Sequence, residues 1–493
     1  MKRLALVLLL SSGCASPPAP VPPAPPTPPS TPAPVKPAPA PVDALGARPR
    51  TSPPSPYVPP VPRVLRLSSG LTVWLLERHA LPLVSLTLVV PHGSSSDPRG
   101  KAGLAHMTAN MLDEGAGPRN ALELARHFES LGATLRTGAY ADYSVVQLSL
   151  LRRNLAAALP AYVDVIARPT FSRPDFARVK DLWLGALKAR RSEPVEVAKV
   201  AQLVLHYGED HPYGHPVDGT SRSAEGIGLD EVRAFHRSAY GPERSTLVIV
   251  GDVTPAEIPD RIEKAFAPFA GTKSAALPEP TFPEPRARKR LVVVDRPDAP
   301  QSVVSLVLPS VSGSDPEAPL LSRVNIALGG SFTSRLNQDL REERGISYGA
   351  SSRLSFSRKS GMFVAHASVQ TDKTGEAVGA LLGDVMEYAK TGPTEEEAEK
   401  TRLVARADVV EAYEGAAAAA GRLARLAGTG LSPDHDARWA VVRDAADRAR
   451  LTEIARKWLD SREGLIVIVG PRAKVAPQLE KLGLGAIEAA QAE

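Results

Sequence analysis

The chain has 493 residues, 43% of them hydrophobic, and a formal net charge of +5. This length exceeds what one compact core usually supports, so we expect two domains or more. The small basic excess is dispersed among acidic residues, which excludes an extended basic face for nucleic acid, and we therefore expect no nucleic-acid partner.

The N-terminus, "MKRLALVLLLSSGCAS", has the pattern of a secretory signal. A basic pair precedes an apolar run at 4–10 that is too short to span a bilayer, so we predict a signal peptide at residues 1–13. The only cysteine, Cys14, follows a glycine, as in a bacterial lipobox, although a serine stands three residues before it. We predict that Cys14 is lipidated, and the alternative is plain secretion.

Residues 14–63 are dominated by Pro and Ala, a composition that cannot pack a core and favours extended polyproline II. At ~3.1 Å per residue this segment could reach on the order of 100 Å. We interpret it as a tether that holds a folded body away from the membrane of the bacterial cell envelope. Ala15 after the cysteine, by analogy with lipoprotein sorting, favours the outer membrane, so we expect the protein in the outer membrane or the periplasm.

The next 200 residues alternate between strand and helix patterns. The runs "LTVWLL", "LVSLTLVV" and "YSVVQLSLL" have strand length and composition. "ALELARHFESLG" has helical apolar spacing and ends at a C-capping glycine, and "PDFARVKDLWLGALKARRSE" begins with a proline in its first turn. These patterns predict an α+β fold, with helices packed on one face of a mainly antiparallel sheet.

A histidine cluster follows in "HYGEDHPYGH", which contains His206, His211 and His215. Three histidines within ten residues suggest a metal site. The Pro-Tyr-Gly turn between the second and the third prevents them from sharing one helix face, so we predict a structural turn without metal.

The sequence contains an internal repeat. "VWLLERHALPLVSLTLVVPHGSSSDP" and "LVVVDRPDAPQSVVSLVLPSVSGSDP" lie 218 residues apart and are identical at nine of 26 positions, and "VIVG" recurs after 219 residues. A nearly constant offset indicates a duplicated domain. We predict domains at 64–272 and 290–483, a Pro-rich linker at 273–289 and a tail at 484–493.

"GSSSDPRGKAGLAHMTANMLDEGAG" resembles the G-x-x-x-D-P-x-G-x-x-G-L-A-H-x-x-E-H segment of the M16 peptidases, the pitrilysin, insulinase and mitochondrial-processing-peptidase group. "YGEDHPYGHPVDGT" and "LGGSFTSRLNQDLREERGISYGASS" resemble later family segments in the expected order. The resemblance implies two duplicated LuxS/MPP-like metallohydrolase domains. In the family, such chains commonly pair into a four-domain clamshell around a peptide chamber.

The resemblance also implies that the zinc chemistry is missing. His106 stands at the first zinc ligand, but Ala109 replaces the general base and Asn110 replaces the second histidine. The third ligand position falls at or next to Ala186, where no carboxylate is available. Because a catalytic zinc needs about three protein ligands, we expect no cofactor in this chain and no hydrolysis by it alone.

In the second domain, Arg341 and Tyr348 match the family's Arg/Tyr pair. The resemblance implies that this pair faces the zinc site of the opposite half and donates hydrogen bonds to the substrate carbonyl. The alternative is a helix-end arginine bound to a neighbouring glutamate and a tyrosine buried in the core. The segment 132–150 holds the position where family members pair a peptide substrate by strand addition, which an ordinary sheet edge explains equally well.

Two functions follow as hypotheses. The first is the zinc-less subunit of an envelope peptidase, which pairs as a heterodimer with an M16 chain carrying an intact H-x-x-E-H; zinc is then expected in that partner. The alternative is a non-enzymatic scaffold or peptide-binding lipoprotein. A third hypothesis, an active peptidase with an unfamiliar metal site, would need metal in the purified chain.

Overall fold

The computed structural model describes residues 57–270, 280–284 and 290–490. The predicted signal peptide, Cys14, nearly all of the tether and most of the linker lie outside these residues. Within the described ranges, no helix is both long and apolar enough to cross a bilayer.

The first half of the described chain forms one six-stranded sheet, a small β-ribbon and nine helices. The strands are β1 Arg63–Arg66, β2 Thr72–Glu77, β3 Leu83–Val90, β4 Gly115–Ala116, β5 Arg119–Asn120, β6 Thr134–Ala139, β7 Ser144–Leu151 and β8 Thr246–Gly251. The helices are α1 Leu104–Asn110, α2 Ala121–Ser130, α3 Leu155–Ala167, α4 Arg173–Arg190, α5 Pro194–Tyr207, α6 Ser221–Glu225, α7 Leu229–Ala239, α8 Ile258–Ala265 and α9 Ala267–Ala270.

The second half, from residue 290, repeats this plan. Its strands are β9 Arg290–Asp295, β10 Gln301–Ser310, β11 Ser347–Phe356, β12 Gly361–Gln370, β13 Leu465–Gly470 and β14 Ile487–Ala490. Its α-helices are α10 Ala318–Asn325, α11 Arg335–Asn337, α12 Thr374–Thr391, α13 Glu395–Ala412, α14 Ala416–Gly428, α15 His435–Ala445, α16 Arg448–Trp458 and α17 Arg472–Glu480. Two π-helical turns, Ile326–Gly330 and Gln338–Glu343, follow α10 and α11.

The two sheets have equivalent strand orders. The first runs β1-β2-β8-β3-β7-β6 and the second, from the corresponding edge, β14-β9-β13-β10-β12-β11. In each sheet the second and third strands are parallel, while the next three pairs are antiparallel. The duplicated α+β fold is therefore confirmed, and the two copies of the sequence repeat form the same strands.

The interpretation of 484–493 as a tail is wrong for part of this segment. Ile487–Ala490 is β14, which extends the second sheet by pairing parallel to β9. Arg290 on β9 also forms a bidentate ion pair with Glu488 on β14. The segment is short and alternates little, so it gives a weak strand pattern by itself. The open edge of β9 supplies the missing hydrogen-bond partners.

Each half sends one helix onto the sheet of the other half. The own-half helices cover one face of each sheet. The opposite face of the first sheet is covered by α14, with Ala420 and Leu423 packed near Trp74 and Val248. The opposite face of the second sheet is covered by α5, including Val197. Both faces of both central sheets are therefore buried, which explains why the strands are apolar runs rather than alternating patterns.

A cluster of polar residues near the C-terminal ends of α5 and α14 connects the two halves by hydrogen bonds. Asp142, which is buried, accepts a hydrogen bond from the Tyr213 hydroxyl at 2.5 Å and from the Arg358 backbone N–H at 2.8 Å. The Arg358 guanidinium also donates to the carbonyl of Gly428, the last residue of α14, at 2.9 Å. One buried carboxylate is thus satisfied from both halves, by Tyr213 of the first and by Arg358 of the second.

Helix α5 also carries a buried imidazole. His206 is fully buried with its ring edge-on to Tyr207, and neither ring nitrogen has a hydrogen-bond partner among the described residues. Burial, with a smaller contribution from His211, lowers the pKa of His206 to about 4. The folded protein therefore holds this buried side chain neutral at pH 7.

We expect Leu423→Ala to lower the free energy of unfolding by ~2–5 kcal/mol, because it removes a fully buried side chain between α14 and the first sheet. Denaturant unfolding of the full chain measures this change. Leu403→Ala on α13, where the side chain is 41% exposed, is the matched control and should change stability by less than ~1 kcal/mol. Both halves should unfold in one transition, and two resolved transitions would contradict the reciprocal packing.

We also expect stability to depend on pH through His206. An unfolded histidine has a pKa near 6.5, so the unfolded chain binds more protons than the folded one below that pH. The free energy of unfolding should therefore fall as the pH drops from about 6.5 to 4, and His206→Phe should reduce this fall by up to ~3 kcal/mol at pH 4. Denaturation curves across this range measure it, and an unchanged slope in the variant would refute the assignment.

Candidate functional site

Helix α1 keeps the local structure of a metal-bearing helix. It begins after Gly103, whose φ of +94° is one that residues with a side chain rarely adopt. A Cβ atom at this position would also lie only 2.6 Å from Cζ2 of Trp183, so the site requires glycine. The Asp97 carboxylate accepts hydrogen bonds from the backbone N–H groups of Gly103 and Ala105 at 2.7 and 2.8 Å. Because Gly103 has no side chain to cap the helix, Asp97 satisfies its first free donors.

The chemistry on α1 does not fit zinc. The Asn110 side-chain amide donates to His106 Nε2 at 3.0 Å, so the nitrogen lone pair that a metal would need is already engaged. Burial lowers the pKa of His106, with Asp218 opposing this shift, so the ring is neutral at pH 7. Ala109 is fully buried and offers only a methyl group where a general base would stand.

Helix α4 places an aromatic ring beside His106 of α1. Ala186 lies on the exposed face of α4. The side chain that α4 places beside His106 is Trp183, with the two ring centroids 6.0 Å apart. The indole Nε1 donates to the Asp218 carbonyl at 2.9 Å, which fixes the ring. Trp183 was not predicted as a residue of this site. The sequence sign of its role was a large aromatic side chain three residues before the position of the expected carboxylate.

The histidine cluster does not assemble a metal site. His206 is buried beside Tyr207, while His211 Nε2 donates to the Pro283 carbonyl at 3.1 Å and His215 Nδ1 donates to the Pro216 carbonyl at 3.1 Å. These contacts hold the turn and anchor residue 283 of the linker. Throughout 57–270, 280–284 and 290–490, no three His, Cys, Asp or Glu side chains converge in a way that could hold a metal ion.

Arg341 and Tyr348 lie on irregular backbone at the surface of the second half. Arg341 belongs to the π-helical turn Gln338–Glu343, and Tyr348 lies at a register shift between Ser347 and Ala350 at the start of β11. Both kinds of irregularity are frequent at functional sites. Tyr348 is 83% exposed, and its hydroxyl has no hydrogen-bond partner in the described part of the chain. The part of the alternative that expects a buried core tyrosine is therefore wrong, whereas the part that expects an arginine bound to a neighbouring glutamate agrees with the contact between Arg341 and Glu342.

The surroundings of Arg341 include two residues that sequence analysis missed. The guanidinium lies over the ring of Phe332, 4.9 Å from its centroid, while Arg341 Nε is 3.4 Å from Glu342 Oε1. The buried Asn337 donates to the Phe332 carbonyl at 2.8 Å and accepts from the Ala350 N–H at 3.2 Å. Asn337 thus links the loop before α11 to the strand that carries Tyr348. In the sequence, the indication that Phe332 and Asn337 belong to this site was their position inside "GGSFTSRLNQDLRE", the segment that also contains Arg341.

The candidate substrate strand is a sheet edge. Within the segment 132–150, β6 is the last strand of the first sheet and pairs only with β7. Helix α1 packs beside β6. The edge position is confirmed, and peptide pairing along it stays a prediction.

Comparisons with known proteins agree with this architecture. The family model described as "Insulinase (Peptidase family M16)" matches residues 72–213, and "Peptidase M16 inactive domain" matches residues 226–403. An uncharacterized zinc protease of Mycobacterium tuberculosis is 27% identical over 383 residues, which cover 76% of this chain and 86% of the relative. An uncharacterized zinc protease of Bacillus subtilis is 23% identical over 336 residues, which cover 68% and 80%.

Solved structures give the same result. A peptidase M16 inactive domain from Pseudomonas fluorescens superimposes with a TM-score of 0.77 at 26% identity, covering 83% of this chain and 98% of that one. The periplasmic protease PqqL of Escherichia coli shares the fold, with a TM-score of 0.68 at 15% identity over 88% of this chain and 52% of that one. Two matching family models and a duplicated fold lead to one conclusion: the chain belongs to the M16 peptidase family.

Proposed function

We propose that this protein is the zinc-less subunit of a cell-envelope M16 peptidase and pairs with a separate chain whose H-x-x-E-H is intact. In this proposal the zinc belongs to the partner. This chain contributes Arg341, Tyr348 and half of the wall of a peptide chamber. The lipidated Cys14 proposed from the sequence would hold the pair at the envelope membrane.

One asymmetry carries the proposal. In the first half the zinc position is filled from within, because Asn110 engages His106 and Trp183 occupies the side of α4 that faces it. In the second half, Arg341 and Tyr348 stay at the surface, and the Tyr348 hydroxyl has no hydrogen-bond partner among the described residues. A chain that was only a scaffold would have no use for these exposed donors.

The donors suit the stabilisation of a developing oxyanion. A guanidinium presents several N–H groups in one plane, and a phenol adds one O–H, so together they can hold a substrate carbonyl oxygen as it becomes negatively charged. Neither group needs to gain or lose a proton for this role. The chain would therefore act by binding and orienting the peptide, while the metal chemistry takes place on the partner.

We expect the purified chain to hold less than about 0.1 zinc ion per chain, because His106 is its only ligand at this position. The double variant Ala109→Glu/Asn110→His should also bind no stoichiometric zinc, since Trp183 remains in place and Ala186 supplies no carboxylate. Metal analysis after dialysis against zinc measures both, with an intact H-x-x-E-H chain as the positive control. One zinc ion per wild-type chain would instead support an active peptidase with an unfamiliar site.

In the reconstituted pair, we expect Arg341→Ala and Tyr348→Phe each to lower kcat by about 100- to 1,000-fold, because each removes a donor to the oxyanion. Peptide cleavage by the pair measures the change. Arg462→Ala is the matched control, since Arg462 is an exposed arginine that pairs with Asp460, two residues before it.

The same experiment separates the two hypotheses. Neither variant should alter the melting temperature or the affinity between the subunits, because both side chains are exposed. If both variants cleave peptide as fast as wild type, the non-enzymatic scaffold is the better description. Zinc-dependent cleavage by the isolated chain would contradict the proposal that this chain is a zinc-less subunit.

A further inference from the structure

Phe332 is an exposed aromatic residue for which the family resemblance gives no role. Its side chain is 70% exposed, although an apolar ring of this size is normally placed where it excludes water. The ring does not stand alone, because the guanidinium of Arg341 lies over it at 4.9 Å. This distance is within the range of a cation–π interaction.

The loop that carries Phe332 is held firmly by its backbone. Asn337 donates to the Phe332 carbonyl at 2.8 Å, Ser331 Oγ donates to the Ile326 carbonyl at 3.1 Å, and Lys400 Nζ donates to the Thr333 carbonyl at 3.1 Å. The loop is thus tied to α10, α11 and α13 or to the turns that continue them. An exposed ring on such a loop is fixed in place by its backbone rather than by burial.

Stacking and ion pairing have different consequences for Arg341. A carboxylate partner uses the N–H groups at the edge of the guanidinium, whereas an aromatic ring uses its face and leaves every N–H group free. The ion pair with Glu342 is weak, since Nε and Oε1 are 3.4 Å apart and both side chains are partly exposed. Phe332 therefore orients the guanidinium while its donors stay available.

From these contacts we propose that Phe332 is a positioning residue: it holds the plane of the Arg341 guanidinium so that the N–H edge faces the substrate carbonyl. This inference rests on the proposed function, because it assigns Arg341 the task of binding that carbonyl. Phe332 itself does not touch the reacting atoms. Asn337 supports the arrangement by joining the Phe332 loop to β11, which carries Tyr348.

The stacking is tested first in the isolated full-length chain by NMR. The Arg341 Nε–H signal is assigned from its loss in Arg341→Lys. Phe332→Leu should shift this signal, because the ring current of the aromatic ring is removed, and Phe332→Tyr should restore it. Phe176→Leu is the matched control, since it removes a ring that lies near a different cation, Lys180, and it should leave the signal unchanged. A signal that does not respond to Phe332→Leu would overturn the proposal.

The positioning role is tested next in the reconstituted pair. Phe332→Leu should lower kcat by about three- to fivefold, the factor expected for the loss of an exposed cation–π interaction, and leave KM within about twofold. Phe332→Tyr should restore kcat. In an Arg341→Ala background, Phe332→Leu should have no further effect, because Phe332 acts only through Arg341.

The possible failures can be told apart. If the effects of Phe332→Leu and Arg341→Ala on kcat multiply, Phe332 acts on its own and the positioning role is wrong. If Arg341→Ala leaves turnover unchanged while Phe332→Leu still shifts the Arg341 signal, the stacking stands, but the proposed function and the positioning role that rests on it both fall. Melting temperatures of all variants identify any that fail to fold.

Discussion

The reciprocal exchange of one helix between the two halves is the constraint on which the rest of the structure depends. α14 from the second half covers the outer face of the first sheet, and α5 from the first half covers the outer face of the second. A sheet rich in Val and Leu on both faces cannot leave one face in water without exposing a large apolar area. Each half therefore needs the other in order to bury its own strands.

This exchange has a consequence for the evolution of the site. The first sheet and its helices must persist even if they perform no chemistry, because the second half packs against them. Helix α1 illustrates this, since its capping by Asp97 and the close approach of Gly103 to Trp183 depend on no bound metal. Zinc ligands, by contrast, stabilise nothing when no zinc is bound, so they can be lost while the helix that carried them remains.

The sequence was sufficient for the features that depend on repeated or periodic patterns. The two halves and the strands at 83–90 and in the "VIVG" runs follow from apolar periodicity and from the nearly constant offset of the repeat, whereas the edge position of β6 was implied by the family resemblance. These features are specified by many residues at once, so no single substitution obscures them.

The features that were missed depend on contacts between distant residues. Nothing local indicates that α5 leaves its own half, that Ile487–Ala490 pairs with β9, or that Trp183 faces His106 across two helices. Phe332 illustrates the same limit, because in the sequence it is one apolar residue among polar ones. Its contact with Arg341 can be recognised only in the folded chain, where the hydrogen bonds of the loop place its ring beneath the guanidinium.

The surface of the second half around Arg341 can be interpreted in terms of how interfaces bind. Aromatic residues and Arg are enriched in the buried cores of interfaces. Here Phe332 contacts Arg341, and Asn337 joins the Phe332 loop to β11, the strand that carries Tyr348. Exposed aromatic rings on a rigid support bind with little loss of conformational entropy. In the proposed function, this surface of the second half is the part of the chain that contacts the substrate carbonyl.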